Sequence, residues 1–240
     1  MYPQLTSSGE PLYEGVLSQV VFLENYDSSF WHEEAKEYLI EKMAEEENID
    51  KKDVNWLCFY VYSDISYEFE KETGLLKLFG EGAMPNYIIG DLEWLAEWHD
   101  SFNNKILNIE IEEGITSIGS FSFCRCQNIK NLNLPNSIKK IKQSAFSVCS
   151  SLESINIPES VEIIEDTVFE ECESLKEIRL PKGLKIISSD SFANCENLEK
   201  IYMSRNTKIT DCMTYDIEDI ENAESCNEFY DCDAEIIYID

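Results

Sequence analysis

Hydrophobic residues recur with a period of 23 over the second half of the chain. Four successive stretches show this period: FCRCQNIKNLNLP (123–135), FSVCSSLESINIP (146–158), FEECESLKEIRLP (169–181) and FANCENLEKIYMS (192–204). A unit of this size cannot bury its own apolar side, so it has to stack on copies of itself. The period therefore predicts a solenoid. Its most regular columns contain Phe123, Phe146, Phe169 and Phe192, and then Cys126, Cys149, Cys172 and Cys195.

Within each unit, the L-x-x-I-x-I spacing predicts one short strand. In LESINI, Ile155 and Ile157 point inward, whereas residues 154 and 156 point outward, as strand alternation requires. Successive strands then form one parallel, concave sheet. The phenylalanine column is expected to form an aromatic spine with the cysteines packed beside it, so Phe169 is predicted to be buried and Glu170 to be exposed.

The repeated pattern L-x-x-I-x-(I/L)-P-x-(S/G)-(V/I/L)-x-x-I-x-x-x-x-F-x-x-C-x-(S/N) resembles the BspA-like leucine-rich repeat family, closely so over residues 105–204. The resemblance implies protein ligands and, for some members, a role as surface adhesins or antigens. After residue 204 the distance between phenylalanines rises from 23 to 37, from Phe192 to Phe229. We interpret 205–240 as an irregular last coil and acidic cap, in which CDAEIIYID is a closing strand.

The N-terminal part of the chain has no such period. GVLSQVVFLENY (15–26) and VNWLCFYVY (54–62) are predicted strands, a helix is predicted near 30–47, and residues 66–80 are predicted to form a hairpin turning at Thr73–Gly74.

The sequence thus predicts an α+β N-terminal cap followed by a leucine-rich repeat solenoid with a parallel concave β-sheet and little helix. The expected divisions are 1–64 (small α+β region), 65–104 (hairpin and lead-in), 105–204 (repeats) and 205–240 (last coil and cap).

The formal charge of −29 lies mostly outside the repeats. Residues 115–204 carry 12 acids and 10 bases, whereas residues 209–240 carry 11 acids and no base. Such a chain is repelled by phosphate backbones and anionic lipid, which disfavours nucleic acid and membrane surfaces as partners. We expect a monomer that binds a protein.

The compartment is suggested by the N-terminus and the cysteines. MYPQLTSSGEPLYEG lacks the basic and apolar regions of a signal peptide, and no apolar run is long enough to span a bilayer. Four of the nine cysteines follow the repeat period, which favours buried free thiols over disulfides. These features favour an intracellular protein, whereas the family resemblance favours the cell surface.

Catalytic, cofactor and metal motifs are not found in the sequence. His32 and His99 lie in no metal or catalytic motif, GEGAMP (80–85) is a turn, and Cys124 with Cys126 has no second pair at zinc spacing. The acids of the C-terminal segment lack the order of a calcium loop; they include Asp211, Asp216, Asp219, Asp231 and Asp233. We therefore expect no enzyme, no cofactor and no metal site.

A ligand is expected on the outward positions of the concave sheet, where the residue types become charged and aromatic towards the C-terminal end. Arg179 and Tyr202 are the types that anchor interfaces. Two alternatives stay open: the N-terminal region carries an effector or enzymatic activity with the solenoid as its targeting arm, or the solenoid ends stack in an assembly. The candidate ligand-binding residues are Asn108, Glu110, Asn131, Asn133, Ser154, Asn156, Glu177, Arg179, Lys200 and Tyr202.

Overall fold

The computed structural model describes residues 4–5, 11–22, 58–87, 103–211, 225–226 and 228–239. The chain divides into two compact units, of which one comprises Met1–Leu17 with Ser63–Asp240 and the other Ser18–Tyr62. Of the second unit, the structure describes only the backbone of residues 18–22 and 58–62, which is extended as β-strand. The helix predicted near 30–47 lies outside the described residues.

The described part of the chain is built of strands, most of them short, and two 3-10 turns, Asn103–Lys105 and Ser189–Phe192. The strands are β1 (Gln4–Leu5), β2 (Pro11–Phe22), β3 (Cys58–Glu70), β4 (Leu75–Gly80), β5 (Gly82–Ala83), β6 (Asn108–Ile111), β7 (Ile115–Ile118), β8 (Asn131–Asn133), β9 (Lys140–Ile141), β10 (Ser154–Asn156), β11 (Ile163–Ile164), β12 (Glu177–Arg179), β13 (Ile186–Ser188), β14 (Lys200–Met203), β15 (Lys208–Thr210), β16 (Ser225–Cys226) and β17 (Glu235–Tyr238).

The predicted hairpin is confirmed: β3 and β4 pair antiparallel around the turn at residues 71–74. Gly74 has a φ of 66°, and a Cβ there would lie 2.6 Å from the Lys105 carbonyl oxygen, so this turn requires glycine. Residues 58–62 of the strand predicted at 54–62 form one continuous strand, β3, with the first arm of the hairpin. The strand predicted at 15–26 is observed as β2 over Pro11–Phe22, and residues 23–26 and 54–57 lie outside the described residues.

The predicted parallel strands are also confirmed in the register that the period requires, but they form three hydrogen-bonded sheets rather than the one sheet predicted: β1-β2-β3-β4-β6, β8-β10 and β12-β14-β17. β8 pairs with β10 so that Asn131 lies opposite Ser154, and β12 pairs with β14 so that Glu177 lies opposite Lys200. β4 pairs in parallel with β6, and β17 pairs in parallel with β14. In the three-residue strands β8, β10 and β12 the middle side chain is buried and its two neighbours are exposed.

A seven-stranded, mainly parallel sheet, which the sequence did not predict, runs continuously along the repeats. Its order is β16-β15-β13-β11-β9-β7-β5, and all of its pairs are parallel except the one between β15 and β16. Its strands are only two to four residues long, so no alternation is visible in the sequence. The aliphatic columns of this sheet and of the strands β6, β8, β10, β12 and β14 belong to one hydrophobic core.

The phenylalanine column forms a continuous stack in the core, as predicted. Phe123, Phe146, Phe169 and Phe192 have ring centroids 5.4, 5.9 and 5.6 Å apart, with interplanar angles of 10°, 7° and 7°. Phe229 continues the stack edge-on, 5.0 Å from Phe192. The aromatic column therefore survives the irregular spacing of the last coil.

The cysteine column lies beside this stack as buried free thiols. The Cys149 thiol donates to the Phe123 carbonyl at 3.2 Å, and Cys195 donates to Phe169 at 3.0 Å. Cys172 makes the equivalent contact with the Phe146 carbonyl. Each of these thiols therefore ties its own coil to the coil before it.

The residue that precedes each of these cysteines has a left-handed backbone. This column contains Arg125, Val148, Glu171 and Asn194, with φ between 55° and 62°. The turn directs both the phenylalanine and the cysteine of one coil towards the core. Asparagine tolerates this conformation, whereas a β-branched residue is strained in it, and nothing in the sequence reveals that Val148 adopts it.

We expect Phe169→Ala to lower the free energy of unfolding by about 3–5 kcal/mol, because it removes a ring stacked on both faces. Urea denaturation measures the change. Glu170 is not a suitable exposed control, since the prediction that it is exposed is wrong: its carboxylate accepts from the Ser147 hydroxyl at 3.2 Å, and partial burial raises its pKa. Glu173 is exposed, and Glu173→Ala should change stability by less than about 0.5 kcal/mol. Equal losses from the two variants would contradict the alignment of the repeats.

We expect the thiols of Cys126, Cys149 and Cys172 to resist alkylation in the native protein at pH 8 and to react fully in urea. Burial raises the pKa of all three, and it raises the pKa of Cys195 to about 12, so little thiolate exists at that pH. Peptide mapping after iodoacetamide treatment identifies the modified positions. Rapid native alkylation at these positions would refute a buried thiol column.

We expect Val148→Asn to raise the free energy of unfolding by about 1 kcal/mol, because it relieves a β-branched side chain at a φ of 60°. The reverse exchange at the equivalent position, Asn194→Val, should lower it by about 1–2 kcal/mol. Urea denaturation of both variants tests the pair. Changes of the same sign would show that the left-handed turn does not control stability here.

Candidate functional site

The ten candidate residues are the outward residues of strands at equivalent positions of successive coils, and we call the surface that they form the strand face. It consists of the outward residues of β6, β8, β10, β12 and β14. Eight of the ten side chains are exposed, whereas Lys200 and Tyr202 are half-buried. The first row is Asn108, Asn131, Ser154, Glu177 and Lys200, and the second row is Glu110, Asn133, Asn156, Arg179 and Tyr202.

The middle of the strand face is uncharged. The Ser154 hydroxyl donates to the Asn131 side-chain oxygen at 2.7 Å, and Asn133 lies opposite Asn156 in the register. These side chains therefore partly satisfy each other across neighbouring coils. Such a surface offers hydrogen bonds but no strong anchor.

The C-terminal end of the strand face contains a stacked pair. The guanidinium carbon of Arg179 lies 4.4 Å from the centroid of the Tyr202 ring, and the two residues are register partners. A cation over an aromatic face at this distance is stabilised by about 0.5–1 kcal/mol at an exposed site. The sequence placed both residues on this face, and the structure shows that they contact each other directly.

β17 extends this end of the face by one strand that the sequence analysis did not include among the candidates. Ile237 lies opposite Tyr202, and Glu235 lies opposite Lys200. The closing strand predicted in CDAEIIYID is confirmed as β17, but its pairing with β14 was not predicted. The signal that could have placed it there is FYDC, in which Phe229 and Cys232 keep the three-residue spacing of the repeat columns. The long interval before Phe229 hid this spacing.

The N-terminal end of the face is extended by β4. The Lys77 amine lies 3.6 Å from the Glu110 carboxylate, and both side chains are well exposed. Such a pair contributes at most about 1 kcal/mol. It nevertheless gives this end of the face a charged character that the middle lacks.

A group of acids lies on the side of the repeats that carries the turns. Glu165 accepts from Lys140 at 2.6 Å and from the Gln143 backbone N–H at 2.8 Å. Burial is the main cause that raises the pKa of both Glu170 and Asp190, and neighbouring carboxylates add to it. The acids here are thus part of the packing of the coils.

Among the described residues, no group of three or more His, Cys, Asp or Glu side chains lies close enough together to hold a metal ion. Cys124 and Cys126 are both buried, and burial raises the pKa of the Cys124 thiol to about 11. His32 and His99 lie outside the described residues, as does most of the N-terminal region to which the alternative activity was assigned.

The segment GEGAMP, predicted to be a turn, contains the last residue of β4, a bend at Glu81 and the short strand β5. Gly80 has a φ of 128°, and a Cβ there would lie 2.0 Å from the Asp64 carbonyl oxygen. The close approach of the Asp64 carbonyl oxygen explains why residue 80 is glycine. A phosphate-binding role is not needed to account for it. Among the described residues, no helix has the length and apolar character needed to cross a membrane.

Comparison with solved structures places the chain beside bacterial leucine-rich repeat proteins. It is 25% identical to a leucine-rich repeat protein from Eubacterium ventriosum, covering 61% of this chain and 43% of that one with a TM-score of 0.47. It is 21% identical to a leucine rich cell surface protein from Faecalibacterium prausnitzii, covering 63% and 44% with a TM-score of 0.45. For the leucine rich repeat protein of T. pallidum the identity is 22%, the coverage 60% and 59%, and the TM-score 0.40.

The chain thus matches less than two thirds of the length of each of these proteins. No curated protein matches the sequence. The BspA type Leucine rich repeat region matches residues 99–221 in 6 copies, which is just over half of the chain. Repeat proteins of this kind generally serve as binding modules. With its 23-residue coils, its parallel strands and its stacked phenylalanines, this chain belongs to the BspA type leucine-rich repeat family.

Proposed function

We propose that this protein binds another protein through the C-terminal end of the strand face, without catalysis. The observation that carries the proposal is the stacked pair Arg179–Tyr202, with its ring centroid 4.4 Å from the guanidinium carbon. Arginine and tyrosine are the residue types most enriched among interface hot spots. The negative charge of the chain disfavours nucleic acid as the ligand.

The stacking supports the proposal because it orders the anchor before binding. A free arginine loses about 1 kcal/mol or more of rotamer freedom when a partner fixes it. Here the ring of Tyr202 already restricts Arg179, while the exposed guanidinium edge can still donate to a partner. The neighbouring row of Glu177, Lys200 and Glu235 alternates in charge, which suits a partner surface with alternating charges of its own.

The size of the face limits the kind of complex. With β4 and β17 included, the face has seven strands, which span about 29 Å at about 4.8 Å per strand. Three residues per strand make it about 10 Å deep, so it supplies less than half of the roughly 800 Å² of a standard interface. A partner must therefore also contact the loops that follow the strands, where Glu159, Lys182 and Arg205 are exposed.

We expect Arg179→Ala and Tyr202→Ala each to weaken partner binding by about 1–3 kcal/mol. Arg179→Lys keeps the charge but loses the planar stacking group, so it should lose part of the affinity. Asn131→Ala and Asn133→Ala, on the uncharged middle of the face, should have little effect. A photo-crosslinking residue at Glu177 captures the partner, and the variants are then compared by titration against that partner.

The matched crosslinking control is Glu173, which is exposed but precedes the strand. Crosslinking at Glu177 and not at Glu173 supports a partner on the face. A folded Arg179→Ala/Tyr202→Ala double variant that binds as tightly as the unmodified protein would exclude this end of the strand face as the site.

A further inference from the structure

The segment that follows β5 lies close against the end of β7. The Tyr87 N–H donates to the Ser120 carbonyl at 2.9 Å. A Cβ at Gly119 would lie only 1.7 Å from the Pro85 carbonyl oxygen, so glycine is required there for the two backbones to approach each other. The side chain of Asn86 is therefore held at a defined position beside the end of β7.

Lys142, on the next coil, contacts this asparagine. Its amine donates to the side-chain oxygen Oδ1 of Asn86 at 2.9 Å, although the two residues are 56 positions apart in the chain. The positions equivalent to 142 in the neighbouring coils are Gly119 and Glu165, so the contact is not part of the repeat pattern. The Glu165 carboxylate contacts Lys140 at 2.6 Å instead. Among the described residues, the amine of Lys142 thus has Asn86 as its hydrogen-bond partner.

Two further donors converge on the same oxygen atom. The Ser120 backbone N–H donates to Asn86 Oδ1 at 3.2 Å, and the Ser120 hydroxyl donates to it at 3.4 Å. Such donors stabilise the negative charge that develops on a carbonyl oxygen when a nucleophile attacks its carbon. The Asn86 amide therefore lies in a small oxyanion hole, with an amine beside it.

The distance and the surroundings of the Lys142 amine favour attack on this amide. A C=O bond is about 1.2 Å long, so Nζ lies at most about 4.1 Å from the Asn86 carbon Cγ. A movement of less than about 1 Å brings the two atoms within the 3–3.5 Å at which bound groups react. Burial is the main cause that lowers the pKa of Lys142, and the charge of Lys140 adds to it, whereas Glu165 opposes it. A lowered pKa increases the fraction of neutral amine, which is the nucleophile.

We propose that Lys142 and Asn86 form an intramolecular isopeptide bond. Nζ attacks Cγ, a new bond forms between these atoms, and the bond from Cγ to Nδ2 breaks. One proton passes from Nζ to Nδ2, so that ammonia leaves. The reaction exchanges one amide for another and needs no oxidant, reductant or cofactor.

The bond joins the segment before the repeats to a coil within them. A cross-link between residues 86 and 142 restricts the unfolded chain, and it therefore stabilises the coils that it encloses. The cross-link uses none of the residues of the strand face and does not depend on the proposed protein binding.

Mass spectrometry of the full chain, purified folded and then denatured, tests the proposal without any variant. Loss of ammonia lowers the mass by about 17 Da relative to the sequence, and we expect this loss in the unmodified protein. Trypsin does not cleave after an acylated lysine, so the peptide 78–105 should be joined to the peptide 141–176. The full sequence mass, with the two peptides separate, would overturn the proposal.

Two variants distinguish this bond from other losses of ammonia, such as cyclisation of an asparagine on its own backbone. Lys142→Arg keeps the positive charge but has no amine that can lose its proton, and Asn86→Ala has no amide to attack. Each should have its full sequence mass. Lys139 is exposed on the same coil, and Lys139→Arg should still show the loss of ammonia. The same loss in Lys142→Arg would overturn the assignment of the bond.

Discussion

Each coil of this protein depends on the next one, because 23 residues cannot bury their own apolar side chains. The contacts that hold neighbouring coils together recur at equivalent positions of successive coils. Phenylalanine rings stack 5.4–5.9 Å apart, and cysteine thiols donate to the carbonyl of the phenylalanine one coil earlier. Hydroxyl groups do the same at another position, as when Ser160 donates to the Ile138 carbonyl at 2.7 Å. A shift of one residue would break all of these ladders at once.

The sequence predicted the parts of the fold that this repetition dictates. The phenylalanine and cysteine columns, the parallel strands and the outward rows of the strand face all follow from a period of 23. The seven-stranded sheet was missed because strands such as Lys140–Ile141 are too short to show alternation. The left-handed backbone at Val148 was missed because it is imposed by the neighbouring coils, against the preference of the residue itself.

The residues of the candidate site could be predicted from the sequence, but the contacts between their side chains could not. Alternation along the strands placed Arg179 and Tyr202 on the same face, but only the structure shows the guanidinium lying over the ring. Arg179 and Tyr202 lie near the C-terminal end of the repeats, on strands of the regular coils, which supply a rigid support for them.

The central claim, that stacking in a strict 23-residue register holds the protein together, is tested most directly by adding one coil. A tandem duplication of residues 146–168 keeps every column in register, whereas duplication of residues 147–168 shifts all later columns by one position. Urea denaturation of both proteins measures the result. The account predicts that the first unfolds cooperatively with a slightly larger m-value, in proportion to its added buried surface, and that the second loses cooperativity or stability. Equal stability of the two proteins would contradict it.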